Sequence, residues 1–254
     1  MTFKSMRLEI DGKVARLTLS RPELLNAVDY EATLELNRAA EVVHDHPDVR
    51  VLLIRGDGRA FCTGIDLKEL SAGKTPAAYF EQWDRALRSF ERMEKFVLCA
   101  MHGYALGGGL QLALASDIRI VSEDCVLGLP AIRESIIPGL APLRLPRYVG
   151  LGRAKRMIFS GETVDGRQAL ELGLADHVVR AESFAEDVES LVLDYLRVCS
   201  EGARQAKAML ALSSDLAYEA FFDEYLRRQA LAVASTDHGE ARTAYIEGRD
   251  PVWT

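Results

Sequence analysis

The chain has 254 residues, of which 48% are hydrophobic, 27% charged and 7% aromatic. That is ordinary globular composition, and it excludes an intrinsically disordered chain, a collagen-like fibre and a coiled coil. A formal net charge of −7 offers no basic footprint for nucleic acid or for an anionic membrane surface. Cysteines at 62, 99, 125 and 199 form neither a C-x-x-C pair nor a zinc spacing. They read as buried thiols of a reducing compartment rather than as a disulfide framework or a metal site. The first residues lack the apolar stretch of a signal peptide, and no run approaches the ~18 apolar residues of a membrane span. The expectation is a cytoplasmic protein with no membrane partner.

In chain order, residues 7–19 alternate apolar and polar positions around Asp11-Gly12, which predicts a β-hairpin. Residues 29–46 carry helical periodicity through Leu34, Leu36, Ala39, Val42 and Val43, and His46-Pro47-Asp48 ends that helix. VRVLLIRG at 49–56 is too apolar for an exposed strand and reads as a buried parallel one. A helical segment at 76–93, within a lid region of weak periodicity expected at about 70–93, leads to a second such run, FVLCAMHG at 96–103. A helix at 109–116 then precedes a third, DIRIVS at 117–122. Strands alternating with helices at this pitch argue for an α/β fold built from right-handed crossovers. From about residue 150 the strand signal fades and helices are predicted at 151–160, 166–173, 184–199, 201–212 and 215–235. The chain divides on this reading into a core at 1–195 and a C-terminal helical region at 196–254.

The most informative stretch runs from His102-Gly103-Tyr104 through Gly107-Gly108-Gly109 to Gln111, and it joins a buried strand to a helix. Consecutive glycines let a ligand approach the backbone closely, while the first N–H groups of the following helix lack intrahelical partners. Such a turn suits an oxyanion, with tight strand–helix packing alone as the lesser alternative. It is neither G-x-G-x-x-G nor a Gly-Lys-Ser/Thr loop, so nucleotide phosphates are poor candidates. A second strand-to-helix loop, from Arg59 through Thr63-Gly64-Ile65-Asp66 to Glu69, follows the neighbouring strand. Two such loops can direct two backbone N–H groups at one oxygen.

These segments, with Arg21-Pro22…Asn26-Ala27, Ala115-Ser116-Asp117 and Ile137-Pro138-Gly139, resemble in order and spacing the crotonase superfamily, that of enoyl-CoA hydratase and isomerase. The resemblance covers nearly the whole chain. It implies a crotonase-like spiral of ββα units, a C-terminal helical trimerisation region and assembly as a homotrimer or dimer of trimers. It also implies an acyl-CoA substrate, no cofactor and no metal, and an oxyanion hole whose donors match Ile65 and Gly108. By the same resemblance the CoA moiety runs along Thr63 and Gly64, with Leu24 and Leu25 near the adenine and Asp66 and Lys68 alongside. An acyl-carrier-protein thioester stays open as an alternative, because Glu23 stands where a basic residue is frequent in the family.

The sequence departs from the family's hydratases at the two positions where those enzymes carry glutamates, which here hold Gln111 and Ala131. Neither moves a proton at neutral pH, whereas general acid–base catalysis needs a titratable group within reach. If Leu129-Pro130-Ala131 opens a helical turn, Glu134 shares a face with Ala131 and becomes the leading replacement, against the alternative of a solvated glutamate paired with Arg133 or Arg144. Asp66, His102 and Tyr104 are lesser candidates. One carboxylate suffices for double-bond isomerisation, which is therefore expected over hydration. A crotonase-type C–C hydrolase or decarboxylase, and a non-catalytic acyl-CoA-binding protein, are the alternatives.

Overall fold

The computed structural model describes residues 3–253. An antiparallel hairpin of β1 (Met6–Asp11) and β2 (Val14–Leu19) turns at Gly12, whose φ of +54° suits glycine. After α1 (Tyr30–Asp45), capped by the Asp29 side chain on the Ala32 N–H, the chain enters β3 (Val51–Gly56). There follow α2 (Leu67–Ser71), α3 (Ala78–Arg92) and β4 (Phe96–Met101), then β5 (Tyr104–Leu106) and α4 (Gly108–Leu114). Beyond them come β6 (Ile118–Ser122), β7 (Val126–Gly128), a 3-10 turn at Pro130–Glu134, α5 (Ala141–Val149) and α6 (Leu151–Ser160). The last part holds β8 (Thr163–Val164), α7 (Gly166–Leu172), β9 (His177–Val179), α8 (Phe184–Val198), α9 (Glu201–Leu212), α10 (Tyr218–Ala234) and α11 (Thr236–Glu247).

The main sheet runs β1-β2-β3-β4-β6-β9, parallel everywhere except in the first hairpin. Its inner strands β3, β4 and β6 are largely buried on both faces, which explains their apolar runs, whereas the edge strand β1 leaves Arg7, Glu9 and Asp11 outward. In β3, Leu52 and Ile54 face the large core shared with α1 and α3, while Val51 and Leu53 face the smaller core covered by Val188 and Val192 of α8. A second sheet, β5-β7-β8, lies beside the first, and a bridge from Cys62 to Ala105 extends it towards the loop after β3. Each turn of the chain thus passes from a main-sheet strand to the second sheet and on into a helix, as β4–β5–α4 and then β6–β7 with the turn that follows it. Turns stacked this way bring the loops after β3, β5 and β7 to one side of the molecule.

The helices predicted beyond residue 150 all form, but the region also holds β8 and β9, which are two and three residues long. Strands that short carry no readable alternation. The predicted 215–235 helix is α10, and α11 after it carries no apolar stripe to betray it. Segment 76–93 differs from the expected weakly periodic lid: α3 buries Tyr79, Trp83, Ala86, Leu87 and Phe90, a regular inward stripe packed on α1.

Helix α9 is anchored to the core by Lys207, whose ammonium lies 2.7 Å from Asp117 and donates to the carbonyl oxygens of Lys95 (2.6 Å) and Phe90 (3.2 Å). Burial pushes the Asp117 carboxyl up and the Lys207 ammonium down, and each is held charged by the other. Lys207→Met should cost about 1–3 kcal/mol of unfolding free energy in urea titrations, because the buried carbonyls of Lys95 and Phe90 lose their donor and the half-buried Asp117 keeps only the Val97 N–H. A loss below 1 kcal/mol would mean that water replaces the ammonium.

Candidate active site

The loops of the site are joined by backbone hydrogen bonds. Phe61 N–H donates to His102 O (2.9 Å), Cys62 N–H to Tyr104 O (3.0 Å), Leu106 N–H to Cys62 O (3.0 Å) and Gly107 N–H to Gly128 O (2.9 Å). On the far side Thr63 N–H donates to Leu25 O (3.2 Å), and Val28 pairs with the 64–66 segment through Gly64 O (2.7 Å) and Asp66 N–H (3.0 Å). Asn26, left-handed at φ +56°, donates its amide to Asp57 O and Ala60 O and accepts from Arg21 N–H, so it fixes the turn that carries Leu24 and Leu25.

Because Val28 pairs with Gly64 O and Asp66 N–H, the N–H of Ile65 points the opposite way, as alternation along a strand requires. Among the described residues the N–H groups of Ile65 and Gly108 have no acceptor, and both residues line one cavity of about 80 Å³. The two loops touch through glycine: a Cβ on Gly64 would sit 2.6 Å from Gly108 N, and one on Gly109 would sit 2.2 Å from Cys62 O.

The rest of the cavity wall comes from α3, α4 and the segment after β7. Tyr79 and Trp83 of α3 supply aromatic walls, Gln111 lies one turn into α4, and Ala131, Glu134 and Ile137 follow β7. The 130–134 segment opens with Pro130 and closes at Ser135, whose φ is +55°. In a 3-10 turn residues i and i+3 eclipse, so Ala131 and Glu134 face the cavity together as the sequence predicts. Glu134 is the one carboxylate among the described residues lining the cavity. Its two proposed partners are elsewhere: Arg144, 2% exposed, holds Asp84 and Glu91 at 3.2 Å each, and Arg133 is solvent-exposed. The other titratable wall residue, Tyr79, has its phenol pushed up by burial and stays protonated at neutral pH. Burial likewise pushes the Cys62 thiol up to about 12, so it is no nucleophile.

Gln111 is buried, and its Oε1 accepts from the Trp83 indole N–H at 3.3 Å. Asp66 caps α2 by accepting from the Lys68 and Glu69 N–H groups (3.0 and 3.3 Å), and it lies 3.7 Å from Arg21. Lys68 is exposed on that helix, and Thr63 Oγ1 donates to Leu25 O. His102 lies off the cavity, with Nε2 2.9 Å from Gly58 O and its ring against Phe184, and Tyr104 is exposed on β5. Trp83, Tyr79 and Asp84 escaped the sequence reading. The apolar stripe of α3 was there to reveal the two aromatic residues, while the Asp84–Arg144 pair joins segments that only the fold brings together.

The Enoyl-CoA hydratase/isomerase family model matches residues 9–254. The chain belongs to the enoyl-CoA hydratase/isomerase family. It is 31% identical over 258 residues to crotonyl-CoA hydratase of Syntrophomonas wolfei, covering 98% of this chain and 97% of that one. It is 32% identical over 215 residues to (E)-benzylidenesuccinyl-CoA hydratase of Thauera aromatica, covering 84% of each. Among solved structures, DspI of Pseudomonas aeruginosa superposes with a TM-score of 0.90 at 28% identity, covering 99% of this chain and 97% of that one. The enoyl-CoA hydratase of Bacillus anthracis superposes at 0.91 and 26%, covering 98% and 99%. The α/β architecture described above is thus the crotonase fold, and the family's acyl-CoA chemistry is the frame for the cavity.

The glycine contact makes a specific demand. Gly109→Ala should lower stability by at least the 1–3 kcal/mol typical of overpacking, since the new methyl meets the backbone carbonyl of Cys62 rather than a movable side chain. Thermal unfolding of the variant checks this, and an unchanged midpoint would mean that the two loops are not in contact there.

Proposed function

We propose that this family member acts on an acyl-CoA thioester through an enolate held by the Ile65 and Gly108 N–H groups, with Glu134 as the sole proton carrier. What supports the reading is one observation: two acceptor-less backbone N–H groups and a single carboxylate line the same small cavity. Charge developing on the thioester oxygen would be met by donors already in place, the kind of preorganisation that contributes most when charge appears only in the transition state. Glu134 takes a proton from C2 of a 3-enoyl thioester, the electron pair delocalises onto the thioester oxygen, and the same carboxyl returns the proton to C4. The double bond then lies between C2 and C3, and no water has been added. Hydration, in contrast, calls for deprotonating water and protonating carbon together, and Gln111 and Ala131 supply neither group.

Thr63 and Gly64 would carry the pantetheine, the turn at Leu24 and Leu25 would meet the adenine, and Asp66 keeps α2 in place beneath them. Lys68 is the cation at hand for a phosphate. In the same reading the chain works in the cytoplasm, without metal or resident cofactor, as a homotrimer or dimer of trimers. Support for assembly comes from the C-terminal arm: α10 buries none of its residues within the chain, and Phe222, Tyr225, Leu226, Val233 and Tyr245 are all exposed.

Solvent deuterium exchange at C2 and C4 of a bound enoyl thioester, followed by mass spectrometry, tests the chemistry. Wild-type protein should exchange and isomerise, while Glu134→Gln should keep thioester affinity and lose roughly 10²–10⁴ in rate. Hydration of crotonyl-CoA should stay well below the ~10–10³ s⁻¹ of ordinary enzymes. Equal exchange by Glu134→Gln would place the base elsewhere, and binding without any exchange in the wild type would leave an acyl-CoA-binding protein.

A further inference from the structure

We infer that Trp83 is the specificity-determining floor of the acyl pocket and limits the substrate to acyl groups of about four carbons. This rests on the thioester reading above and narrows its substrate class.

Trp83 stands at a boundary. It lines the cavity of about 80 Å³ that also holds Ile65, Gly108, Gln111 and Glu134. The same residue lines a second, nearly closed cavity of about 10 Å³, whose other walls include Val28, Ala32, Leu36 and Leu112. Among the described residues no other borders both spaces. Those walls belong to the large core under α1, so one indole separates the site from a region already lined for hydrocarbon.

The indole is held in place from several sides. It is 3% exposed and sits on the inward stripe of α3, one turn after Tyr79, which lines the first cavity too. Its N–H, a donor only, is taken up by Gln111 Oε1 at 3.3 Å. Its six-membered ring lies against the start of α4: a Cβ on Gly108 would sit 3.1 Å from Cζ2 and 3.5 Å from Cε2. Glycine at 108 therefore lets the ring pack over the peptide whose N–H is to meet the thioester oxygen. A side chain so enclosed gives way to an incoming chain only by straining its neighbours.

Volume sets the limit. An apolar cavity of ~150 Å³ holds one benzene ring, so a space of about 80 Å³ takes roughly three or four carbons. A butenoyl group fills it and still has the C2, C3 and C4 that the proposed proton transfer requires. Longer chains meet the indole. The open side of the cavity, at the exposed Leu67, Phe80 and Ile137, is where the thioester enters.

Calorimetric titration with butanoyl-, hexanoyl- and decanoyl-CoA, saturated so that no double bond moves, tests this. Each methylene that finds apolar room should tighten binding about fourfold, the worth of burying one CH₂. The wild type should gain nothing beyond butanoyl-CoA and bind decanoyl-CoA about tenfold more weakly, since the longer chain overpacks a filled space. Trp83→Ala joins the two cavities and should reverse the order, hexanoyl-CoA gaining about tenfold over butanoyl-CoA. Trp83→Leu removes the ring but keeps the stripe of α3 apolar, so it should shift the order the same way by a smaller factor and carries the test if the alanine variant does not fold. Wild-type protein that binds decanoyl-CoA as tightly as butanoyl-CoA would overturn the inference and route the chain out over Leu67 and Ile137. An unchanged order in the Trp83 variants would overturn it as well, and either result leaves the thioester reading intact. Failure of every thioester to bind the wild type would overturn that reading and this inference with it.

Discussion

The contact on which the site depends is backbone against backbone, where the loop after β3 meets the start of α4. Gly64 lies against Gly108 N, and Gly109 against the carbonyl of Cys62, at distances that leave no room for a Cβ. No side-chain interaction could bring the two donor peptides so near, since a side chain between them would itself take up the space. The approach is held by the ladder from Phe61 to Leu106 on one side and by the pairing of Val28 with Gly64–Asp66 on the other. Because the donors are main-chain groups, side chains around the cavity can change without dismantling them. That explains how a member of this family can hold Gln111 and Ala131 in the cavity wall and keep the rest of the arrangement.

The electrostatics of the cavity follow from where charge is neutralised. Arg144 is one of the most deeply buried side chains, and it is balanced by Asp84 and Glu91 on α3. A guanidinium so enclosed without partners would be very costly, so this network fixes α5 against α3. It also keeps Arg144 from pairing with Glu134. The carboxylate is left beside apolar walls with no ion pair among the described residues. Polar groups without internal partners in a concave apolar setting are the ones a substrate must engage.

The sequence was legible where one residue type has one physical use. Apolar runs too long for exposed strands predicted β3, β4 and β6, because strands covered on both faces have no polar side to show. Consecutive glycines at 107–109 marked a close backbone approach, and Pro130 marked the turn that brings Glu134 beneath Ala131. What escaped depended on partners far apart in the chain. The hydrogen bond of Trp83 to Gln111 spans 28 positions, and the ion pair of Arg144 with Asp84 spans 60. Either pairing is one of many that local pattern allows. The strands of the second sheet are short enough that their identity comes from bridging to one another rather than from alternation.

Helix α4 ties the site to the C-terminal arm. Its seven residues are all buried, with Gly108 at one end and Ala115-Ser116-Asp117 beyond the other. Asp117 accepts the N–H of Val97 at the start of β4 and holds Lys207 of α9. The element presenting Gly108 and Gln111 to the cavity is therefore fixed at its far end by the same carboxylate that anchors the helical arm. On that arm α10 and α11 expose Tyr225, Leu231, Val233, Tyr245 and Ile246. Covering them would immobilise α9, and through Lys207 and Asp117 would restrain the C-terminal end of α4. A rigid α4 would keep the Gly108 N–H where the proposed oxyanion would form, which would tie a surface remote from the cavity to the geometry that the proposed chemistry requires.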